Sequence, residues 1–244
     1  MTVTTSNGHD RFLGPTEYLD SDHPLVRATA ESLVSGCATD IERVGRIYDY
    51  VRDLPYDVLA SFRYLAHGHD RASDVIGHGV AFCMGKASSF VALCRAVGVP
   101  ARIAFQTLQS DDKEFLSPEV RALWGGGAGG LARPFPWHSL GEAYLGQRWV
   151  KLDATIDTAT ATRLGKPYRQ EFDGVTPIQT VEGPILRENG SYADYPAEVA
   201  QWYGRIAQSV LKALSSEEIR AQVAGDDELW AGPPLEWVAR KSVL

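Results

Sequence analysis

The 244-residue chain is 44% hydrophobic and 23% charged, enough apolar sequence to bury one large core or two small ones. Its net charge of −7 comes without the basic stripe of a nucleic-acid binder, and no run approaches the roughly 18 uncharged apolar residues of a membrane span. No nucleic-acid or membrane partner is therefore expected; the polar residues 1–11 lack the apolar stretch of a secretory signal, and a cytoplasmic protein is expected.

Residues 1–22 read as a flexible N-terminal arm. From His23 to Leu33, and again from Asp40 to Asp53, apolar residues recur at helical spacing, the second run through Ile41, Val44, Ile47, Tyr48 and Val51. Thr39 or Asp40 can cap the second helix, and Leu54-Pro55 stops it, since a residue before proline is pushed out of the helical region. A third helix is predicted to begin at or just before Cys83. Cys83, Ala87, Phe90, Val91 and Cys94 fall on one face of it, and Gly98 closes it with Pro100 shortly after.

Ala101 to Leu108 alternates weakly and reads as a strand. The following irregular segment contains Gly125-Gly126-Gly127-Ala128-Gly129-Gly130, and 117–136 reads as a lid over a cleft. The glycine run has no lysine of the phosphate-loop type, so no nucleotide site is expected. Two strands, His138 to Leu145 and Arg148 to Thr155, are joined by Gly146-Gln147, which suits a type II′ hairpin. Pro196 to Leu214 and Ser216 to Val223 look helical. Helices followed by antiparallel strands give an α+β fold, with 23–244 a single domain carrying a C-terminal helical extension.

The three cysteines, Cys37, Cys83 and Cys94, are an odd number without C-x-x-C spacing, so neither a disulfide framework nor a cysteine zinc site is expected. Cys37 and Cys94 read as packing residues. Cys83 differs because it opens a helix, where unpaired N–H groups and a partial positive charge favour thiolate and can stabilise an oxyanion. A base must come from elsewhere in the fold. A two-residue hairpin loop pairs residues whose numbers sum to 293, so Leu140 faces Asp153 and His138 faces Thr155. His138 and Asp153 are then diagonal neighbours about 7–8 Å apart at the backbone. Asp153 can hold one ring nitrogen and leave the other for Cys83, as the third member of a triad does. The same register pairs Glu142 with Lys151 and Tyr144 with Trp149. His67, His69, Asp70 and His78 are metal ligands by residue type, but their spacing matches no standard site and no metal is expected.

The segments Cys83-Met84-Gly85-Lys86-Ala87 and Leu93-Cys94-Arg95-Ala96-Val97-Gly98-Val99-Pro100-Ala101-Arg102 resemble the nucleophile helix and following strand of the transglutaminase-like superfamily. His138 to Glu142 and Trp149-Val150-Lys151-Leu152-Asp153-Ala154-Thr155 resemble its histidine and aspartate strands. The resemblance covers Ile41 to Thr155, with a weaker echo at Glu171-Phe172-Asp173-Gly174 and Tyr192-Ala193-Asp194-Tyr195-Pro196. It implies a papain-like α+β fold, a Cys83–His138–Asp153 triad and no cofactor. Two departures point away from glutamine crosslinking: Met84 stands where crosslinking enzymes usually carry tryptophan, and Leu140 where they carry an aromatic residue. Phe82, Met84, Lys86, Trp137 and Leu140 are the expected substrate-binding residues. The size, triad and missing tryptophan are similar to enzymes that take acyl chains from carrier-protein thioesters, forming amides or closing rings by Dieckmann condensation. The expected partner is thus an acyl thioester, with an acyl or peptidyl carrier protein as its donor. An amidase or cysteine peptidase is the alternative within the enzymes, and a binding module with a vestigial triad the alternative outside them.

Overall fold

Local sequence signals set the helical half of the molecule. In the computed structural model, which describes residues 8–109, 135–163, 165, 171–181 and 183–214, Pro24 opens α1 (Pro24–Leu33) at its first position, where no N–H is needed. Thr39 caps α2 (Asp40–Asp53) in a reciprocal box: its Oγ1 accepts from Glu42 N at 3.2 Å, and Glu42 Oε2 accepts from Thr39 N at 3.2 Å. Two further helices, α3 (Val58–Ala66) and α4 (Ala72–His78), lead to α5 (Cys83–Ala96). A short α6 (Thr158–Arg163) and a long α7 (Ala197–Leu214) follow the hairpin.

The strands form one antiparallel sheet in the order β3-β2-β1-β4, from β1 (Ala101–Leu108), β2 (Phe135–Leu145), β3 (Arg148–Leu152) and β4 (Ile185–Tyr192). The predicted hairpin register holds, with Glu142 opposite Lys151 and Tyr144 opposite Trp149. Its turn differs from the expected type II′. Gly146 and Gln147 both take positive φ, 53° and 67°, which is the type I′ pattern, so a glutamine occupies the left-handed region. The ladder also ends at Leu152, short of the expected Thr155, because Asp153 N turns to donate to Ile178 O at 3.0 Å.

Helix α5 lies on β2, where Gly141 meets Phe90 so closely that a Cβ there would stand 2.1 Å from the ring. The expectation of a single inward face on α5 is too narrow. Every residue from Cys83 to Arg95 is buried, polar ones included, because α1, α2 and α4 surround it on the sides the sheet leaves. The described part of the N-terminal segment is not an arm: Phe12 and Leu19 are buried, and the Asp20 carboxylate accepts from the Ser73 backbone and hydroxyl. Ser216 to Val223 and nearly all of the expected lid, 117–136, lie outside the described residues.

Candidate active site

Cys83 is the first residue of α5, and Phe82 before it supplies no side-chain cap. No side chain therefore competes for the free N–H groups of the first turn, which share the positive end of the helix dipole with Cys83. The thiol is 4% exposed.

Strand β2 brings His138 to this point, 2% exposed, with its Nε2 3.2 Å from Asp153 Oδ2. That contact leaves Nδ1 as the ring nitrogen available to Cys83, whose sulfur acts on the charge of the ring. Burial by itself lowers the pKa of the imidazole, but the charge and hydrogen bond of Asp153, with the Cys83 sulfur, outweigh it and push it up to about 10. The opposite holds for Asp153. Its burial favours the neutral acid, yet His138 and the surrounding donors hold the carboxyl well below the usual range. Those donors are numerous: Oδ2 accepts from Thr180 N and Val181 N at 3.1 Å and from Gln179 Nε2 at 3.3 Å, while Oδ1 accepts from Thr155 N at 3.0 Å. The acid is thus fixed, and the ring it binds is fixed by it. Asp157, the other carboxylate of this region, is committed elsewhere, accepting from Tyr56 N and capping α6 through Thr160.

The fold thus brings Cys83, His138 and Asp153 together. Phe82 and Met84 are buried on either side of the thiol. Trp137 is half-buried, with its ring edge-on to Phe105. The substrate role expected for Lys86 does not fit its position. It is buried, with Nζ donating to Arg52 O at 2.7 Å, so its ammonium closes the end of α2. Burial pulls its pKa down to about 7, against the pull of Asp157, Asp153 and Asp53. Leu140 pairs with Ala104 and lies outside the hydrophobic cluster that holds Phe82, Cys83 and Met84.

Sequence reasoning misses Tyr203 and Tyr195. Tyr203 Oη donates to Trp137 O at 2.6 Å and lies 3.7 Å from Cys83 Sγ, while Tyr195 Oη donates to Met84 O at 2.8 Å. Tyr203 belongs to an amphipathic helix where aromatic residues pass for core, and nothing in the sequence separates it from its neighbour Trp202.

The model of the transglutaminase-like superfamily matches residues 27–154, just over half of the sequence and all three converging residues. The chain belongs to the transglutaminase-like superfamily. Its α+β fold is accordingly of the papain/transglutaminase-like kind, and the superfamily is one of cysteine-dependent enzymes. No curated protein matches the chain. Among solved structures it is similar to one from Cytophaga hutchinsonii named "Putative Cysteine Protease", at 24% identity and a TM-score of 0.46; the match covers 64% of this chain and 45% of that one. No helix among the described residues of this transglutaminase-like protein is long and apolar enough to cross a membrane.

Proposed function

We propose that this protein is an acyl-transfer enzyme that works through an acyl-Sγ-Cys83 intermediate, with His138 as acid–base group and Asp153 as its orienter. The observation that carries this reading is the buried convergence of the three side chains at an uncapped helix start. The Cys83 sulfur attacks the acyl carbon of a thioester; the developing oxyanion faces the N–H groups of the first turn of α5, with the Tyr203 hydroxyl close by. The C–S bond to the donor breaks, and the departing thiolate takes the proton held by the His138 imidazolium. A thioester donor suits this site because a thiolate leaves far more readily than an amine.

The donor proposed is a carrier-protein thioester, and the acceptor a carbon nucleophile within the acyl chain, which yields its proton to the now neutral His138 and closes a ring by Dieckmann condensation as it displaces Cys83 as thiolate. Support comes from the dryness of the site. The thiol, the imidazole and Phe82 are all nearly inaccessible, so water competes poorly with an internal nucleophile once the acyl group is bound.

The test incubates the protein with a carrier-linked acyl chain ending in a β-ketoamide, following intact mass and released product. The expected result is a Cys83-bound acyl adduct and a cyclic product, both absent in Cys83→Ala. A linear acid as sole product makes the protein a hydrolase, and no adduct with any thioester or amide makes it a binding module.

A further inference from the structure

Outside the triad, the described residues bring together His69, Asp74 and His78, whose ligand-type atoms all lie within 4.8 Å of one another. Asp74 and His78 are four residues apart on α4 and so project from one face of it, while His69 comes from the loop before that helix. The spacing of His67, His69, Asp70 and His78 matches no standard metal site because the carboxylate of this set is Asp74, one helical turn before His78.

Each member is prepared for coordination. His69 Nδ1 lies 3.6 Å from Asp74 Oδ1, and Asp74 Oδ2 is held from behind by the Arg71 N–H at 3.2 Å, leaving Oδ1 directed at the histidines. Both ring nitrogens of His78 are shielded from solvent without a hydrogen-bond partner, although its ring is stacked on Tyr64 at 3.7 Å and cannot easily turn elsewhere. Such buried, unsatisfied nitrogens are unusual and call for a partner.

We propose that His69, Asp74 and His78 bind a divalent transition-metal ion of the zinc type, with a fourth position left for water or for Asp70, which lines a pocket together with His69 and His78. Two imidazoles and one carboxylate suit zinc. Magnesium and calcium require six or more oxygens, which this set does not offer. Metal–ligand bonds of about 2.0–2.2 Å place tetrahedral ligand atoms about 3.3–3.6 Å apart, so binding draws the cluster inward. His69, whose side chain is 42% exposed on a loop, is free to supply that movement. Phe82 and Met84, which flank Cys83, line this pocket too, so an ion here ties α4 to the wall beside the thiol.

The experiment uses the full-length Cys83→Ala protein, stripped with chelator, so that the thiol does not capture the ion. Zinc is titrated calorimetrically and by thermal melting, and Co²⁺ is added separately as a spectroscopic reporter. One zinc ion per chain at micromolar or tighter affinity is expected, with a rise in melting temperature and Co²⁺ bands free of thiolate charge transfer. His69→Ala, at a half-buried loop position, should weaken binding at least about tenfold and remove the thermal shift while the metal-free melt stays cooperative. Asp74→Ala should do the same, and His67→Ala should change nothing. Absence of saturable uptake, uptake unchanged in His69→Ala, or a thiolate band with Co²⁺ would each overturn the assignment.

Discussion

Cys83 and Cys94 lie on one helix, and their surroundings assign them opposite behaviour. Burial pushes the Cys94 thiol far above its ordinary pKa, opposed only by the charge of Arg95, whereas Cys83 has the His138 imidazole against it. Brief iodoacetamide treatment should therefore label Cys83 ahead of Cys94, and ahead of the more accessible Cys37, when followed by peptide mapping. Earlier labelling of Cys94 contradicts the assignment. Asp153→Asn should lower turnover by about 10⁴-fold, because the imidazole loses the negative charge that stabilises its protonated form. The amide must keep its oxygen toward His138 and the backbone N–H groups of Thr180 and Val181, which sets its NH₂ against Thr155 N–H. A conflict of that kind costs about 1–3 kcal/mol, so a drop of several degrees in the melt should accompany the loss. Near-normal turnover in a folded variant ends the triad assignment. The approach of His138 to Asp153 was legible because the hairpin sets β2 beside β3, although the ladder stops at Leu152 before the expected pairs 138–155 and 140–153; the helix start made Cys83 legible. The donors to Asp153 were not legible: Gln179, Thr180 and Val181 lie in a stretch with no period. Nor was the burial of Lys86, since a lysine normally marks a surface and only its contact with the Arg52 carbonyl explains the exception.

At the scale of elements, the legible ones carried a boundary signal as well as a pattern. α2 has a capping box at one end and Leu54-Pro55 at the other, and both bounds match the sequence expectation. The sequence of α3, Val58–Ala66, is mostly apolar and only 9 residues long, too short a run for its pattern to be told from a buried strand. β4 is the converse case: its sequence, with Asn189-Gly190, looks like a loop, and it is an edge strand largely exposed along its length. The contact between α5 and β2 offers a sharper test of packing. Gly141→Ala drives a methyl into Phe90, which is fully buried and has no room to retreat. Overpacking of this kind costs about 1–3 kcal/mol, and a melting temperature lower by roughly 2–12 °C is expected. Because α5 carries Cys83 and β2 carries His138, thiol alkylation should slow in the same variant. An unchanged melt would mean that the helix and strand stand further apart than described here.

For the molecule as a whole, the buried charges set the pH response. His138 is raised above its unfolded value, so its contribution is complete below about pH 6.5 and is lost as pH rises toward about 10. Asp153 is lowered; its contribution is present above about pH 4 and is lost as pH falls below that. Lys86 acts in the other direction. With its folded pKa near 7, the unfolded chain binds the extra proton between there and about 10.4, so stability rises with pH over that interval. The slopes from His138 and Lys86 therefore oppose each other on the alkaline side. Thermal melts from pH 7 to 9.5 should be nearly flat for the wild type, rise for His138→Gln and fall for Lys86→Met. Parallel profiles for all three would show that these charges are not buried as described. The opposition between His138 and Lys86 could not be read from the sequence, where the two lie in separate segments and only the fold buries both.

The asymmetry between the two ends of the triad has a consequence for how such a protein could drift. Asp153 accepts from Thr155, Gln179, Thr180 and Val181 as well as from His138, so it fastens a length of backbone whether or not any reaction takes place. Cys83 fastens nothing; its sulfur meets a hydroxyl at 3.7 Å and the imidazole. A descendant that abandoned its chemistry could exchange the thiol for serine or alanine with little loss of stability, and would still be compelled to keep the acid. The presence of the aspartate is therefore weak testimony to catalysis, and the intact thiol is the stronger.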